Sequence, residues 1–226
     1  MSASHPRRVR VDLAAGDSFL PPWVKNAVRA ALAPAVRLAL ALHITPNTIT
    51  VIGMIVVAAA ALLVGLGMIL PGAALLVAGS LLDAVDGALA RASGGPTRFG
   101  GFLDSTLDRV AEATLFVGVA AYFLATSAQP TAPVVLAMLA LVGSFLVSYT
   151  RARAEALGYS ATVGLAPRPE RLVLVSAGLV LAGVGFDVGL VAALAVIGLL
   201  TFATVVQRIW HVWRQAGAST HRQQGS

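Results

Sequence analysis

The sequence has no cysteine, which excludes a disulfide-stapled secreted module. Charge is scarce: 12% of the 226 residues are Asp, Glu, Lys or Arg, against about a quarter in soluble domains. Apolar residues make up 58%, and mean hydropathy is +0.84. A water-soluble globule of this size cannot hide that much apolar surface, and a disordered chain would not carry it. An integral membrane protein remains. A span needs about 20 apolar residues, so six would use roughly 120, over half the chain. No apolar run of signal-peptide length follows Arg7, Arg8 and Arg10.

The apolar runs fall at about 47–67, 70–90, 100–126, 132–154, 169–185 and 189–212, separated by glycine and proline breaks. Before them, Trp23 to Leu42 carries Lys25, Arg29 and Arg37 at roughly helical intervals. That pattern predicts an amphipathic helix on the membrane surface, with a seventh span as the alternative. The expected fold is therefore all-α: six transmembrane helices preceded by an amphipathic juxtamembrane helix. It divides into an N-terminal arm (1–22), one membrane domain (23–214) and a polar, mobile tail (215–226).

The net charge of +6 and pI near 11.0 would suggest nucleic acid in a soluble protein. Here position gives a better account. The gaps near 68, 128 and 187 hold no Lys or Arg, whereas the other gaps and both ends hold 15 of the 16. The remaining one, Arg109, lies in the third run. By the positive-inside rule both termini are cytoplasmic, and no nucleic-acid partner is expected.

Four of the ten acidic residues fall between residues 83 and 108. The segment reads Asp83-Ala-Val-Asp86-Gly87-Ala-Leu-Ala90-Arg91, then eight residues, then Gly100-Gly-Phe-Leu-Asp104-Ser-Thr-Leu-Asp108. Ionisable residues within spans are costly and usually functional. Asp83 and Asp86 share one helix face, as do Asp104 and Asp108 on the next helix. Both pairs lie near the cytoplasmic ends of antiparallel neighbours, so four carboxylates are expected to converge on one cytoplasmic pocket. An oxygen-only donor set suits a hard ion, Mg²⁺ or Mn²⁺. Four carboxylates suffice for two ions, a layout suited to phosphoryl chemistry. Gly87 and Ala90 would let a ligand approach the backbone. Arg91 offers a cation for a phosphate oxygen. Gly94, Gly95 and Gly100 loosen the connecting loop, which Thr97 and Arg98 could turn toward an anion. The plainer alternative is an ion-pair network in which Arg91, Arg98 and Arg109 neutralise the aspartates.

These residues resemble the motif of the CDP-alcohol phosphotransferase family, D-x2-D-G-x2-A-R-x8-G-x3-D-x3-D, at all eight fixed positions. The resemblance extends to the six-span layout and the surface helix. It implies transfer of a substituted phosphate from a CDP-linked donor to an alcohol, with release of CMP. It also implies that Asp83, Asp86 and Asp104 bind a first metal. Asp108 is then the general base and faces a second metal, while Gly87, Ala90, Arg91 and Gly100 bind the CDP donor. With CDP-diacylglycerol as donor, the acyl tails stay among membrane lipids. Relatives form homodimers, and the resemblance carries that expectation to this chain in a bacterial-type plasma membrane.

For the acceptor, Arg151, Arg153, Arg168 and Arg171 lie on the side of the membrane expected to hold the active site. Guanidiniums grip phosphate with paired hydrogen bonds, so a phosphorylated small alcohol is expected. The alternative is ordinary positive-inside charge, with Arg151 paired to Glu155. Ser105 and Arg109 resemble the phosphatidylinositol-phosphate synthase branch, which uses inositol 1-phosphate. That branch often has Lys where Arg151 stands. A phosphatidylglycerophosphate synthase using glycerol 3-phosphate is the nearest rival. A cation transporter would need polar residues across the membrane depth, which the last three runs lack.

Overall fold

In the computed structural model, the described residues are 22–224, and they form seven α-helices with no strand among them. The helices are α1 (Pro22–Ala41), α2 (Pro46–Gly65), α3 (Ile69–Ala92), α4 (Arg98–Thr126), α5 (Thr131–Ala156), α6 (Arg168–Gly183) and α7 (Asp187–Gln224). Their ends follow local chemistry. Thr45 caps α2: its Oγ1 accepts the Thr48 N–H at 3.2 Å, and Pro46 takes the first helical position, where a missing N–H costs nothing. Thr97 caps α4 in the same way, accepting the Gly100 N–H at 2.9 Å. At the end of α2, Gly67 adopts φ +81°, and Met68 N–H closes back on Leu63 O at 2.8 Å. His43 does the same for α1 at φ 55°, an unusual angle for a side-chain-bearing residue. Ile44 N–H then reaches Ala39 O at 2.9 Å, so His43 serves as a helix stop.

Five helices (α2, α3, α4, α5 and α7) are long and apolar enough to cross a membrane. The sixth expected span, 169–185, corresponds to α6, whose 16 residues rise only about 24 Å. The expected arm at 1–22 lies almost wholly outside the described residues. The expected tail boundary at 214 is not a break in the backbone. No proline interrupts the sequence there, and α7 continues to Gln224.

The chain divides into two compact units. The first takes in residues up to Val56 together with Ala78–Val110; the second takes in Val57–Val77 and everything from Ala111 onward. Each of α2, α3 and α4 therefore gives one part to each unit. In the first unit, Leu32, Val36 and Ala39 on one face of α1 are buried with Ile49, Val85, Ala88 and Leu89. Leu38 and Leu42 on α1 stay exposed.

The second unit is built on close helix contact through small residues. A Cβ on Gly118 of α4 would strike the backbone of Ala61 on α2. One on Gly143 of α5 would strike Thr201 of α7. Gly178 faces Leu190 and Ala193, and Gly183 faces Leu70, so both serve packing within the chain. Such contacts suit helices in lipid, where dispersion and close approach replace the hydrophobic effect. Asp187, the only charge in its gap, opens α7 and accepts the Tyr122 hydroxyl at 2.7 Å. Large apolar side chains such as Leu62, Leu66, Val117, Leu124 and Leu199 are exposed, which suits a lipid surround.

Candidate active site

The last three turns of α3 and the first three of α4 carry the motif, and both lie in the first unit. One carboxylate oxygen from each of Asp83, Asp104 and Asp108 falls within 4.8 Å of the others. All three residues are half-buried. The geometry fits a divalent cation: three hard oxygen donors from two helices crowd one small volume. Like charges at this spacing repel, and a bound cation would offset that.

Asp86, the fourth expected ligand, stands outside this group of three. It is 5% exposed, and its Oδ2 accepts the Thr50 hydroxyl of α2 at 2.6 Å. Arg109 Nη1 reaches Asp108 Oδ2 at a long 3.3 Å and donates to Ser105 O at 2.8 Å. Arg109 thus lies against the last aspartate of the motif, as the ion-pair alternative required of it.

Beside the aspartates is a cavity of about 480 Å³. Its lining includes Asp86, Gly87, Ala90, Arg91, Gly100 and Asp104, so every residue expected to bind the donor borders one space. Asp104 joins the cavity to the carboxylate group. The glycines have steric reasons. A Cβ on Gly87 would sit 3.4 Å from Arg91 Nη1, so its absence gives the guanidinium room against the helix. A Cβ on Gly100 would come within 2.9 Å of the capping Thr97 Oγ1 and 3.0 Å of Asn47 Oδ1. Thr45, Asn47 and Thr50 also border the cavity. Sequence reasoning missed them as site residues. The available signal was a cluster of polar residues opening an otherwise apolar run.

The four arginines expected to bind the acceptor lie in the second unit and differ in use. Arg151 Nε donates to Glu155 Oε1 at 2.8 Å, an exposed pair one turn apart. Arg153 borders a cavity of about 320 Å³ with Tyr149, Arg208 and Trp213. Arg168 opens α6. Arg171 is 3% exposed and its fork is occupied. Nε and Nη2 donate to the two oxygens of Glu112 at 2.8 and 3.0 Å, and Nη1 donates to Ala166 O at 2.7 Å. Glu112 is a further residue that sequence reasoning missed, although it follows Asp104 and Asp108 at the same four-residue interval along α4.

Comparison with known proteins agrees with this chemistry. The sequence profile of the CDP-alcohol phosphatidyltransferase family matches residues 43–210. The archaetidylinositol phosphate synthase of Methanothermobacter thermautotrophicus is 38% identical over 167 residues, covering 74% of this chain and 82% of that one. The phosphatidylinositol phosphate synthase of Mycobacteroides abscessus is 40% identical over 177 residues, covering 77% and 80%. Among solved structures, the phosphatidylinositol phosphate synthase of Mycobacterium tuberculosis is 34% identical with a TM-score of 0.74. Its complex with manganese and citrate is matched over 80% of this chain and 88% of that one. Its complex with CDP-DAG is matched over 80% and 93%. The motif, the cavity it borders and these matches agree: the chain belongs to the CDP-alcohol phosphatidyltransferase family.

Proposed function

We propose that the protein transfers a phosphatidyl group from CDP-diacylglycerol to a phosphorylated polar alcohol, inositol 1-phosphate, and releases CMP. The observation that carries this reading is the sharing of Asp104 between the cavity of about 480 Å³ and the three-carboxylate group. The names of the relatives support the acceptor.

In this reading Asp83, Asp86, Asp104 and Asp108 hold Mg²⁺ or Mn²⁺, as two ions. When bound, the metal supplies positive charge against the donor's diphosphate. Gly87 and Ala90 leave space for the cytidine, and Arg91 binds a diphosphate oxygen. Gly100 keeps the α4 cap tight at the cavity edge. Asp108 accepts the proton of the attacking hydroxyl. The hydroxyl oxygen bonds to the phosphatidyl phosphorus as the bond from that phosphorus to the CMP oxygen breaks. Arg151, Arg153 and Arg168 hold the acceptor phosphate.

The membrane reading goes with it. α6 completes six spans, α1 lies on the surface, and the basic residues put both termini and the active site on the cytoplasmic side of a bacterial-type plasma membrane. The working form is a homodimer.

The test is an acceptor panel. Purified protein, CDP-diacylglycerol and Mg²⁺ are incubated with inositol 1-phosphate, free inositol, glycerol 3-phosphate or serine, and CMP is measured. CMP release with inositol 1-phosphate is expected. Turnover of glycerol 3-phosphate alone would overturn the acceptor assignment.

A further inference from the structure

The C-terminal part of α7 borders a groove that takes no part in the site described above. The groove, of about 550 Å³, runs between the segment 163–165 and the side of α7 that carries Gln207, Trp210, His211 and Arg214. Those positions recur at three- and four-residue intervals, so they share one helix face. The opposite wall is fixed by bonds that face away from any ligand. Arg208 Nε donates to Val163 O at 2.9 Å, and Thr204 Oγ1 accepts the Leu165 N–H at 3.0 Å. A Cβ on Gly164 would lie 2.5 Å from Thr204 Cγ2, so glycine lets the segment rest close against the helix. The groove is therefore formed before anything enters it.

Its chemistry is basic, aromatic and unspent. Other guanidiniums of this unit are occupied: Arg151 by Glu155, Arg171 by Glu112, and Arg208 by the carbonyls of Val147 and Val163. Arg214 is exposed, and among the described residues no hydrogen bond or ion pair engages its side chain or that of His211. No carboxylate lines the groove.

Depth decides what kind of anion fits. Asp187 opens α7, and Trp210 stands about 35 Å of helix rise beyond it. The hydrocarbon core of a bilayer is about 30 Å thick, so Trp210, His211 and Arg214 reach headgroup level. Leading up to them, Leu199, Val206 and Trp210 form one exposed apolar line along α7. Apolar side chains, then an aromatic ring, then two basic side chains repeat the order of acyl chain, glycerol and phosphate in a phospholipid.

We propose that this groove binds the headgroup of an anionic phospholipid from the surrounding bilayer. Arg214 and the His211 imidazole N–H donate to the headgroup phosphate, and Trp210 lies against the glycerol region. The occupant is anionic rather than zwitterionic, because the groove offers donors for phosphate and no carboxylate for an ammonium group. A free phosphate would leave the apolar line without a partner. The site requires only a chain embedded in lipid. It does not depend on which alcohol the enzyme accepts, and its test reads binding without turnover.

Trp210 serves as the reporter. Full-length protein carrying Trp23→Phe and Trp213→Phe keeps Trp210 as its single tryptophan. It is reconstituted in phosphatidylcholine vesicles with increasing brominated phosphatidylglycerol or brominated phosphatidylcholine, whose bromines quench a tryptophan they touch. A basic residue near the membrane surface is worth about fivefold in the binding of an anionic lipid. Half-maximal quenching is therefore expected at a phosphatidylglycerol fraction about fivefold or more below that of phosphatidylcholine. Arg214→Gln should remove most of this preference, and adding His211→Gln should remove the rest. Arg37→Gln, which deletes an exposed charge on α1, should leave it intact. Equal quenching by the two lipids, or a preference that survives Arg214→Gln, overturns the proposal. An equal loss in Arg37→Gln would mean diffuse surface attraction and also overturns it. Relief of quenching by excess inorganic phosphate would assign the groove to a soluble anion and overturn the lipid assignment. Should the single-tryptophan protein not fold, thermal unfolding in detergent replaces it. Added phosphatidylglycerol should then raise the Tm of wild type and not of Arg214→Gln, and equal shifts overturn the proposal.

Discussion

The two units use carboxylates in opposite ways. In the first, Asp83, Asp104 and Asp108 bring like charges within 4.8 Å of one another. In the second, Glu112 is given a guanidinium that matches both its oxygens, and the pair is sealed from solvent. One arrangement holds electrostatic strain that a cation can relieve, so it is ready to bind. The other is already satisfied, so it is ready to hold structure. Both use α4, and the change from one to the other takes a single helical turn, from Asp108 to Glu112.

This contrast can be broken most severely at the reacting end. Asp108→Asn is expected to lower CMP release by a factor of about 10² to 10⁴ or more, since it removes the proposed base and a proposed metal ligand. Thermal unfolding in detergent should show the variant folded and at least as stable as wild type without metal, because one like charge is gone. A fold lost along with activity would mean that Asp108 is structural.

The next largest effect belongs to the second unit. Arg171→Met leaves Glu112 buried and unpaired, at a cost of about 3–5 kcal/mol. Adding Glu112→Leu should recover much of that stability. Failure of the second change to restore stability would show that the pair does more than neutralise charge.

Metal sharpens the comparison from the other side. Mn²⁺ at a hundred times its dissociation constant should stabilise wild type by about 2.7 kcal/mol. Asp104→Asn should abolish that gain and Arg171→Lys should leave it, as read by melting with and without chelator. Equal loss in both would mean that the two carboxylate environments are not separable. The smallest effect is expected at the cavity edge. Thr97→Ala removes the α4 cap and should cost about 1 kcal/mol, with a modest rise in donor KM.

Much of the site was legible along the chain because helical spacing is periodic. Asp83 with Asp86, and Asp104 with Asp108, share faces by arithmetic alone, and the motif carried the family with it. What spacing left out is partner choice. Asp86 has the same period as its neighbours, yet Thr50, 36 residues away, takes its oxygen. Arg171 reads as a free basic residue near a phosphate site until Glu112, 59 residues away, is seen to fill its fork. The polar start of α2 looks like a helix cap, which it is, and also turns out to border the cavity. The run at 169–185 has the composition of a span but yields only 16 helical residues, because Pro167 precedes it and Gly185 turns the chain at φ +95°.

The scarcity of charge and its placement by themselves determined a helical membrane protein with one acidic motif. Those properties are local or periodic, and local chemistry is written residue by residue. Only the tertiary structure decided which charges meet. A carboxylate's role depends on what other segments bring to it in three dimensions: two more carboxylates make Asp108 part of a group able to hold a cation, and one buried guanidinium makes Glu112 a fastening.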